Sequence, residues 1–205
     1  MIFRQVRHLA TKTGRINPAT TALYLCDMQQ VFKPTIYKFP EIVETSRRLF
    51  EVAKILDMPI IVTEHYPRAF GHTVEELGDV SPYLVDTKTC FTMNTPKVNA
   101  LLDDQFKNID SVILTGIETH ACIMATTFDL LERNIDVHLP VNAISSRTQT
   151  DRILGLSRCK QAGAYLTTAE CLVFQMLGDA KHPKFKEVAK YVRDPMPDSD
   201  IDVAF

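Results

Sequence analysis

The fold of this chain is decided by the stretch Val112-Ile113-Leu114-Thr115-Gly116-Ile117-Glu118-Thr119-His120-Ala121-Cys122. Its apolar first half predicts a buried strand, and the glycine and polar residues that follow predict a turn into a helix. A thiol on the first turn of a helix faces unpaired backbone N–H groups and the positive end of the helix dipole, which favour the thiolate. The same N–H groups can hold an oxyanion. This stretch therefore predicts a nucleophile, Cys122, and a stabiliser for the charge that its attack creates.

The length and composition favour one globular domain. The chain has 205 residues, of which 45% are hydrophobic, and its formal net charge is −2. No apolar run approaches the ~18 residues that a membrane span needs. The net charge argues against a general nucleic-acid binder, which usually carries a basic face. The five cysteines lack CxxC spacing, so we expect neither a disulfide framework nor a zinc site, and we expect a reducing compartment.

Residues 1–17 form a basic N-terminal segment. The segment contains no acidic residue, and its basic residues are Arg4, Arg7, Lys12 and Arg15. Two interpretations stay open, because such a start is typical of a mitochondrial transit peptide and is also compatible with a basic segment packed on the body of the protein. We therefore expect a cytoplasmic protein, with mitochondrial targeting as the alternative.

Apolar runs alternate with helical patterns along residues 18–193, which we predict to be one domain, followed by a loose C-terminal tail at 194–205. The predicted strands are 21–26, 59–63, 84–87, 111–115, 135–139 and 164–167. The predicted helices are 41–57, 94–106, 119–133, 148–162, 169–177 and 183–192. This alternation indicates an α/β fold, a Rossmann-like three-layer α/β/α sandwich whose six-stranded, mostly parallel sheet has the order 3-2-1-4-5-6.

This strand order brings together residues that are far apart in the chain. Asp27 directly follows the first strand and Cys122 lies just past the fourth, and ligands bind where such neighbouring strands end. Asp27 is then a candidate general base, with the cap of the next segment as its alternative role. Lys88 is a candidate partner for the carboxylate and the thiolate, although a lysine is usually solvated. Cys122 could equally be a small buried hydrophobe.

Several separated blocks along residues 18–193 together resemble the isochorismatase-like cysteine hydrolase superfamily, which includes nicotinamidases and N-carbamoylsarcosine amidohydrolases. The resemblance is closest to the isochorismatase domain-containing proteins. The blocks that carry it are Leu25-Cys26-Asp27-Met28-Gln29, Thr63-Glu64-His65-Tyr66-Pro67, Lys88-Thr89-Cys90-Phe91, Gly116-Ile117-Glu118-Thr119-His120-Ala121-Cys122 and Ser145-Ser146-Arg147. The resemblance implies a catalytic triad of Asp27, Lys88 and Cys122.

The resemblance also implies how the triad works. Asp27 is expected to act as the base and Lys88 as electrostatic support, while Cys122 attacks a small amide-like or related carbonyl substrate and forms a thioester. A cis peptide bond at Ile117–Glu118 is expected to direct backbone N–H groups, including that of Cys122, at the substrate oxygen. No cofactor is implied, and the family resemblance implies a homo-oligomer.

In two places this chain departs from the sequence patterns of family members, and each departure argues against one type of reaction. Metal-dependent nicotinamidases carry an Asp-x-His element near the second strand, whereas this chain has Glu64 and Tyr66 in those positions, so a zinc site at Glu64, His65 and His72 is not expected. True isochorismatases lack the nucleophilic cysteine. Because this chain has Cys122, vinyl-ether hydrolysis of isochorismate is disfavoured.

Four further side chains are expected to line the substrate pocket, namely Phe32, Tyr66, Phe91 and His120. The aromatic residues could instead fill the core, and His120 could act as a neighbour of the helix dipole. Two other functions stay open, a non-enzymatic binding or scaffold protein and, on the basic N-terminus, nucleic-acid processing. The intact triad favours a hydrolase of a small molecule. The net charge of −2 opposes nucleic-acid partners, and the lack of a long apolar run opposes a membrane partner.

Overall fold

The computed structural model describes residues 13–81 and 83–201. The strands in this part of the chain are β1 (Thr21–Cys26), β2 (Ile60–His65), β3 (Leu84–Lys88), β4 (Ser111–Ile117), β5 (Asp136–Pro140), β6 (Ile144–Ser145) and β7 (Tyr165–Thr167). The α-helices are α1 (Phe39–Ile55), α2 (Pro67–Phe70), α3 (Pro96–Asp103), α4 (Met124–Glu132), α5 (Gln149–Ala162), α6 (Ala169–Leu177) and α7 (Phe185–Val188). Strands and helices alternate, as the sequence predicts for an α/β fold.

The sheet has the order β3-β2-β1-β4-β5-β7, and its pairings are parallel. This confirms the predicted order 3-2-1-4-5-6. The predicted count of six strands was wrong, because the two-residue strand β6 also pairs with the end of β4. A strand of two residues is too short to produce a periodic pattern in the sequence. It lies at the carboxyl end of β4, beside the turn that leads to Cys122.

Alternate side chains of the central strands enter two different core layers, as the period of a strand requires. On one face, Tyr24 and Cys26 pack with buried residues of three helices, Val98 of α3, Leu130 of α4 and Leu156 of α5. On the other face, side chains of β1 and β4 pack with those of α1 and α6, and the buried residues include Leu23, Leu25, Ile113, Phe50 and Leu172. Helices therefore cover both faces of the sheet.

Side chains at the helix ends explain several boundaries. The Thr95 hydroxyl accepts a hydrogen bond from the N–H of Val98, so α3 begins after Thr95. Helix α5 ends at Gly163, which adopts φ +115°, as the sequence predicts. The helix predicted at 183–192 is shorter in the structure, because a 3-10 turn at Ala189–Tyr191 follows α7.

The C-terminal segment differs from the loose tail that the sequence predicts. Residues 194–201 form no helix or strand, but Ser199 is buried. The guanidinium of Arg152, also buried, donates hydrogen bonds to the Ser199 carbonyl (2.8 Å) and hydroxyl (3.1 Å) and to the Val141 carbonyl (2.8 Å). The segment is therefore held by a buried cation that needs acceptors.

The predictions for the N-terminal segment fall mostly outside the described residues, because the structure describes only 13–17 of it. In that part Ile16 is buried in the core layer that contains α1 and α6. Over the described residues, the structure contains no helix that is both long and apolar enough to cross a membrane.

Candidate active site

Three strands deliver the predicted triad to one edge of the sheet. Asp27 directly follows β1, Lys88 is the last residue of β3, and Cys122 lies in a π-helical turn, Thr119–Ile123, after β4. Because the strands are parallel, their carboxyl ends meet at this edge. The structure brings the three side chains into contact, although they come from distant parts of the chain.

Asp27 is oriented by two donors. Its Oδ2 lies 2.6 Å from Lys88 Nζ, and its Oδ1 accepts a hydrogen bond of 2.7 Å from the Thr63 hydroxyl. Its backbone has φ +51°, a left-handed conformation that aspartate adopts more readily than most residues. The next turn, Gln30–Phe32, begins after Gln29. Asp27 is therefore not the cap of the next segment, which was the alternative role for this residue.

Lys88 is a buried cation and not a solvated lysine. Its side chain is 0% exposed. Besides Asp27, Nζ lies within hydrogen-bond distance of the backbone carbonyls of Phe91 (3.0 Å) and Cys90 (3.2 Å), and it lies 3.4 Å from Cys122 Sγ. An ammonium group has three protons, so these acceptors together satisfy it.

The charge state of Lys88 follows from its neighbours. Burial by itself lowers the pKa of Lys88, but the acidic groups of Cys26, Asp27 and Cys122 outweigh this effect and raise the pKa above its ordinary value. Lys88 is thus a permanent positive charge beside the thiol at neutral pH. Such a charge favours the thiolate form of a neighbouring cysteine.

The nucleophile candidate sits where backbone donors are available. Cys122 is the fourth residue of the π-helical turn, and the N–H groups of its neighbours Ala121 and Ile123 both donate to the Glu118 carbonyl. Its side chain is 8% exposed, which leaves the sulfur reachable from the cavity described next. The peptide bond Ile117–Glu118, which the family resemblance singles out, is cis in the structure.

A cavity of about 360 Å³ opens onto the triad. Asp27 and Cys122 form part of its wall. Most of its remaining lining is apolar, and the lining residues are Val31, Phe32, Thr35, His65, Phe70, Phe91, Ile117, Glu118, Ala121 and Arg147. Two of the four predicted pocket residues, Phe32 and Phe91, therefore line it.

Tyr66 and His120, the other two, do not line this cavity. Tyr66 follows β2 with φ +37°, is 49% exposed, and borders a separate surface hollow. His120 lies on the nucleophile's own turn, but its Nδ1 lies 3.1 Å from the Ser146 hydroxyl. Neither position could be read from the sequence, because the conformation of each turn decides where its side chains lie.

His65 belongs to the site in a way that the sequence did not indicate. Its Nδ1 lies 3.3 Å from Lys88 Nζ, and its ring stacks on that of Phe91 with centroids 5.9 Å apart. Burial, and then the charge of Lys88, lower the pKa of His65 below its ordinary value. His65 thus adds a polar ring to a mostly apolar wall.

The three zinc ligands considered from the sequence do not all converge, because His65 points away from the other two. Glu64 accepts hydrogen bonds from the Thr73 N–H (2.7 Å) and hydroxyl (2.9 Å), and lies 3.0 Å from His72 Nδ1. His65 is its neighbour on the strand, so the two side chains lie on opposite faces of the sheet.

In the described residues, the group that could ligate a metal by proximity is Cys26, Asp27 and Cys122, whose ligand atoms lie within 4.8 Å of one another. Lys88 places a positive charge 2.6 Å from Asp27 Oδ2 and 3.4 Å from Cys122 Sγ. A divalent cation in this cluster would meet that charge. The donor set therefore does not fit a metal.

Thr63 is a site residue that the sequence analysis missed. A signal for it existed, because Thr63 pairs with Cys26 in the parallel register of β1 and β2, one residue before Asp27. A polar residue at the end of the neighbouring strand is placed to contact a carboxylate that follows the first strand.

Comparisons with known proteins find relatives over most of the chain. The family model of the isochorismatase domain matches residues 21–171. The chain is 48% identical to isochorismatase domain-containing protein 2 of Xenopus laevis, over 93% of this chain and 92% of that protein. A solved structure of MAR1 ribonuclease from Caenorhabditis elegans is 45% identical, with a TM-score of 0.87 over 93% of this chain and 98% of that chain.

A more distant structure shows the fold alone. The YcaC gene product of Escherichia coli, described as an octameric hydrolase of unknown specificity, is 18% identical. Its TM-score is 0.74, over 87% of this chain and 96% of that chain.

Proposed function

The chain belongs to the isochorismatase domain family, and from this premise we propose that it is a cysteine hydrolase that cleaves a C–N bond in a small amide-like or related carbonyl compound. The observation that carries the proposal is the position of Lys88 Nζ, 2.6 Å from Asp27 Oδ2 and 3.4 Å from Cys122 Sγ. A carboxylate, a cation and a thiol in contact at the wall of a cavity are the parts that nucleophilic catalysis needs.

The first half-reaction forms a thioester. Asp27 accepts the proton of the Cys122 thiol, and Lys88 stabilises the resulting thiolate. The thiolate attacks the substrate carbonyl carbon, and the negative oxygen is held by backbone N–H groups at the start of the π-helical turn, including that of Cys122. The tetrahedral intermediate collapses, the C–N bond breaks, and the amine leaves with the proton from Asp27.

The second half-reaction returns the enzyme to its starting state. Asp27, again a carboxylate, accepts a proton from a water molecule that attacks the thioester carbon. The C–S bond breaks, the carboxylic acid product leaves, and the Cys122 thiolate recovers a proton from Asp27. The Thr63 hydroxyl keeps the Asp27 carboxylate in place through both steps, because it donates to Oδ1 while Lys88 holds Oδ2.

The cavity supports a small and largely uncharged substrate. Its volume of about 360 Å³ is near the lower end of ligand pockets, and its walls are mostly apolar. The ion pair at its rim joins Arg147 Nε to the Glu118 carboxylate at 3.3 Å. These charges satisfy each other, so the rim offers no unpaired charge for an ionic substrate.

We also propose self-association, for which helix α5 supplies a surface. Ile153 and Leu154 on α5 are large apolar side chains that are 41% and 63% exposed. Neighbouring exposed apolar side chains are typical of subunit contacts. Light scattering that gives the mass of a single chain at micromolar concentration would contradict this proposal.

The hydrolase is tested by an amide panel with two readouts. Ammonia or amine release measures turnover, and intact-mass spectrometry of acid-quenched samples detects an acyl group on the protein. Cys122→Ala should lose both, whereas Cys171→Ala, a change at an exposed thiol, should keep both. Full turnover by Cys122→Ala on a substrate that the wild type hydrolyses would overturn the mechanism.

A second candidate function is RNA cleavage, which is favoured by the name of the 45% identical MAR1 ribonuclease. The net charge of −2 and the apolar cavity oppose it. RNA cleavage by wild-type protein that is lost in Cys122→Ala would support this candidate. Equal cleavage by both proteins would indicate a contaminating nuclease and would contradict RNA cleavage as a function of this protein.

A further inference from the structure

A second thiol lies beside the nucleophile. The sulfur atoms of Cys26 and Cys122 and a carboxylate oxygen of Asp27 all lie within 4.8 Å of one another. Cys26 is the last residue of β1, and its side chain enters the same core layer as Cys122. The hydrolytic mechanism needs only Cys122, so the close approach of Cys26 has no part in it.

The two thiols differ in access. Cys122 is 8% exposed and lines the cavity, whereas Cys26 is 0% exposed. A small solute in the cavity can therefore reach Cys122 but not Cys26. Once Cys122 has been oxidised, the adjacent Cys26 is a thiol that can reach it without entering solvent.

We propose that Cys26 is a resolving cysteine, which closes a reversible Cys26–Cys122 disulfide after a hydroperoxide has oxidised the nucleophile. This inference rests on the proposed function in one respect, since it needs Cys122 as a thiolate. It assigns to the site a reversible oxidised state in which the nucleophile is blocked but protected from further oxidation.

The chemistry balances with one hydroperoxide per disulfide. The Cys122 thiolate attacks the distal oxygen of the hydroperoxide, and the O–O bond breaks. Cys122 becomes a sulfenic acid, and the leaving oxygen takes back from Asp27 the proton of the Cys122 thiol and becomes water or an alcohol. The sulfur of Cys26 then attacks Cys122 Sγ, and the S–O bond breaks. The hydroxide that leaves takes the proton of Cys26 through Asp27 and becomes water. Two thiols are oxidised, and the hydroperoxide is reduced.

The environment of Cys26 keeps its thiol protonated until Cys122 has been oxidised. Burial, followed by its hydrogen bond to Cys122 and the charge of Asp27, raises the pKa of Cys26 well above its ordinary value. Cys26 therefore stays protonated in the resting enzyme and does not compete for the hydroperoxide. The Asp27 carboxylate in the same cluster can accept its proton when Cys122 has become electrophilic.

The other cysteines must be considered as alternative partners for a disulfide with Cys122. Cys159 is buried in the same core layer, on α5, and Cys171 is exposed on α6. Cys90 is the serious alternative, because it is exposed on the loop after β3 and its carbonyl lies 3.2 Å from Lys88 Nζ. A Cys90–Cys122 disulfide would be formed by an exposed loop thiol and would exclude the role assigned to Cys26.

The test treats the reduced full-length protein with hydrogen peroxide, blocks free thiols under denaturing conditions, and maps peptides without reduction. The expected product is a peptide pair joined through Cys26 and Cys122, which dithiothreitol separates. Cys26→Ala and Cys26→Ser should instead accumulate sulfenic acid at Cys122, trapped by dimedone, and about tenfold more sulfinic acid than the wild type. Cys90→Ala should form the same Cys26–Cys122 pair as the wild type.

Three results would overturn the inference, and the wild-type map alone can give each of them. They are a Cys90–Cys122 pair, a Cys122 that reaches sulfinic acid without any disulfide, and a Cys122 that resists peroxide altogether. Iodoacetamide labelling of the untreated protein separates these results from a failure of the proposed function. Selective labelling of Cys122 would be compatible with the proposed hydrolase even if the disulfide does not form. Labelling of Cys122 no faster than that of Cys159 would contradict both the hydrolase and the role of Cys26.

Discussion

The Nζ atom of Lys88 lies 2.6 Å from Oδ2 of Asp27, and the two side chains are 0% and 2% exposed. Opposite charges so deep in a protein are costly to separate, because each would be left without water or a partner. This ion pair therefore ties the stability of the protein to its candidate chemistry. It also joins β1 to β3, which are not neighbours in the sheet.

Lys88→Met should destabilise the protein strongly. The change leaves Asp27 buried without its cation, and breaking a buried pair in this way costs about 3–5 kcal/mol of unfolding free energy. Lys97→Met is the matched control, since Lys97 is 57% exposed and lies 3.7 Å from Asp86. A surface pair of that kind contributes about 0–1 kcal/mol. Urea unfolding of the two variants measures the difference, and equal losses would contradict the importance given to burial.

Gly116→Ala should be far more harmful than Gly163→Ala. Both glycines have positive φ, +113° and +115°, so both substitutions strain the backbone. At Gly116 the added Cβ would overlap the backbone carbonyl of Cys26, whereas at Gly163 it would meet nothing within 4 Å. We expect about 1–2 kcal/mol of lost stability at Gly163 and failure to fold, or a larger loss, at Gly116.

Thermal unfolding of the purified variants gives the comparison, with soluble yield as the readout if Gly116→Ala does not fold. Similar melting temperatures for the two variants would mean that β1 and β4 can move apart near the site, against the close approach seen here.

His138 should make stability fall as the pH is lowered from about 6.5 toward 4. Burial lowers the pKa of His138 to about 4, so the unfolded chain binds a proton in this range and the folded protein does not. The contribution is fully present above pH 6.5 and amounts to about 3 kcal/mol if the whole shift is realised. This contribution to stability is lost as the pH falls from 6.5 toward 4, the pKa of His138 in the folded protein.

The measurement is the difference in unfolding free energy between the wild type and His138→Leu at several pH values. The leucine variant should lose less stability than the wild type between pH 6.5 and 4.5. His182→Gln, at a partly exposed histidine, should follow the wild type. Parallel curves for all three proteins would show that His138 does not titrate in the way that its burial requires.

Arg152→Gln should release the C-terminal segment and destabilise the fold. The variant loses the three guanidinium hydrogen bonds to Ser199 and Val141. A hydrogen bond that involves a charged group contributes about 1.5–3 kcal/mol to stability. We expect a net loss of about 2–4 kcal/mol. Arg158→Gln on the same helix is the control, since Arg158 is exposed and contacts the ring of Phe128.

Limited proteolysis reports the segment itself. Cleavage after Arg193 should be faster in Arg152→Gln than in the wild type or Arg158→Gln. An unchanged cleavage rate would mean that other contacts hold residues 194–201, among them the hydrogen bond between Tyr37 and Asp200.

The fold could be predicted because its signals are local. The apolar stretch at 21–26 coincides with β1 to the residue, and the helix predicted at 169–177 matches α6. The strand order was predicted as the common order of such sheets, and right-handed crossovers predicted helices on both faces. The exception is β6, where two residues pair with β4 without any pattern of their own.

The site could be predicted in part. Asp27 and Cys122 were candidates because they follow neighbouring strands, and the family resemblance added Lys88 to them. The structure places both residues against Lys88. The residues that line the pocket were harder to predict from the sequence. Phe32 and Phe91 line the cavity, whereas Tyr66 and His120 do not, because the conformation of each turn places its side chains and composition does not encode that conformation.

By itself, the sequence determined the α/β class, because periodicity depends on local residue types, and the common strand order of such folds placed Asp27 and Cys122 after neighbouring strands. Lys88 joined these two candidates through the family resemblance. Only the tertiary structure decided what those residues touch. The Thr63 contact to Asp27, the adjacency of Cys26 and Cys122, and the acceptors of Arg152 join side chains from separate segments. Such contacts follow from how the layers pack, which no single stretch of the chain specifies.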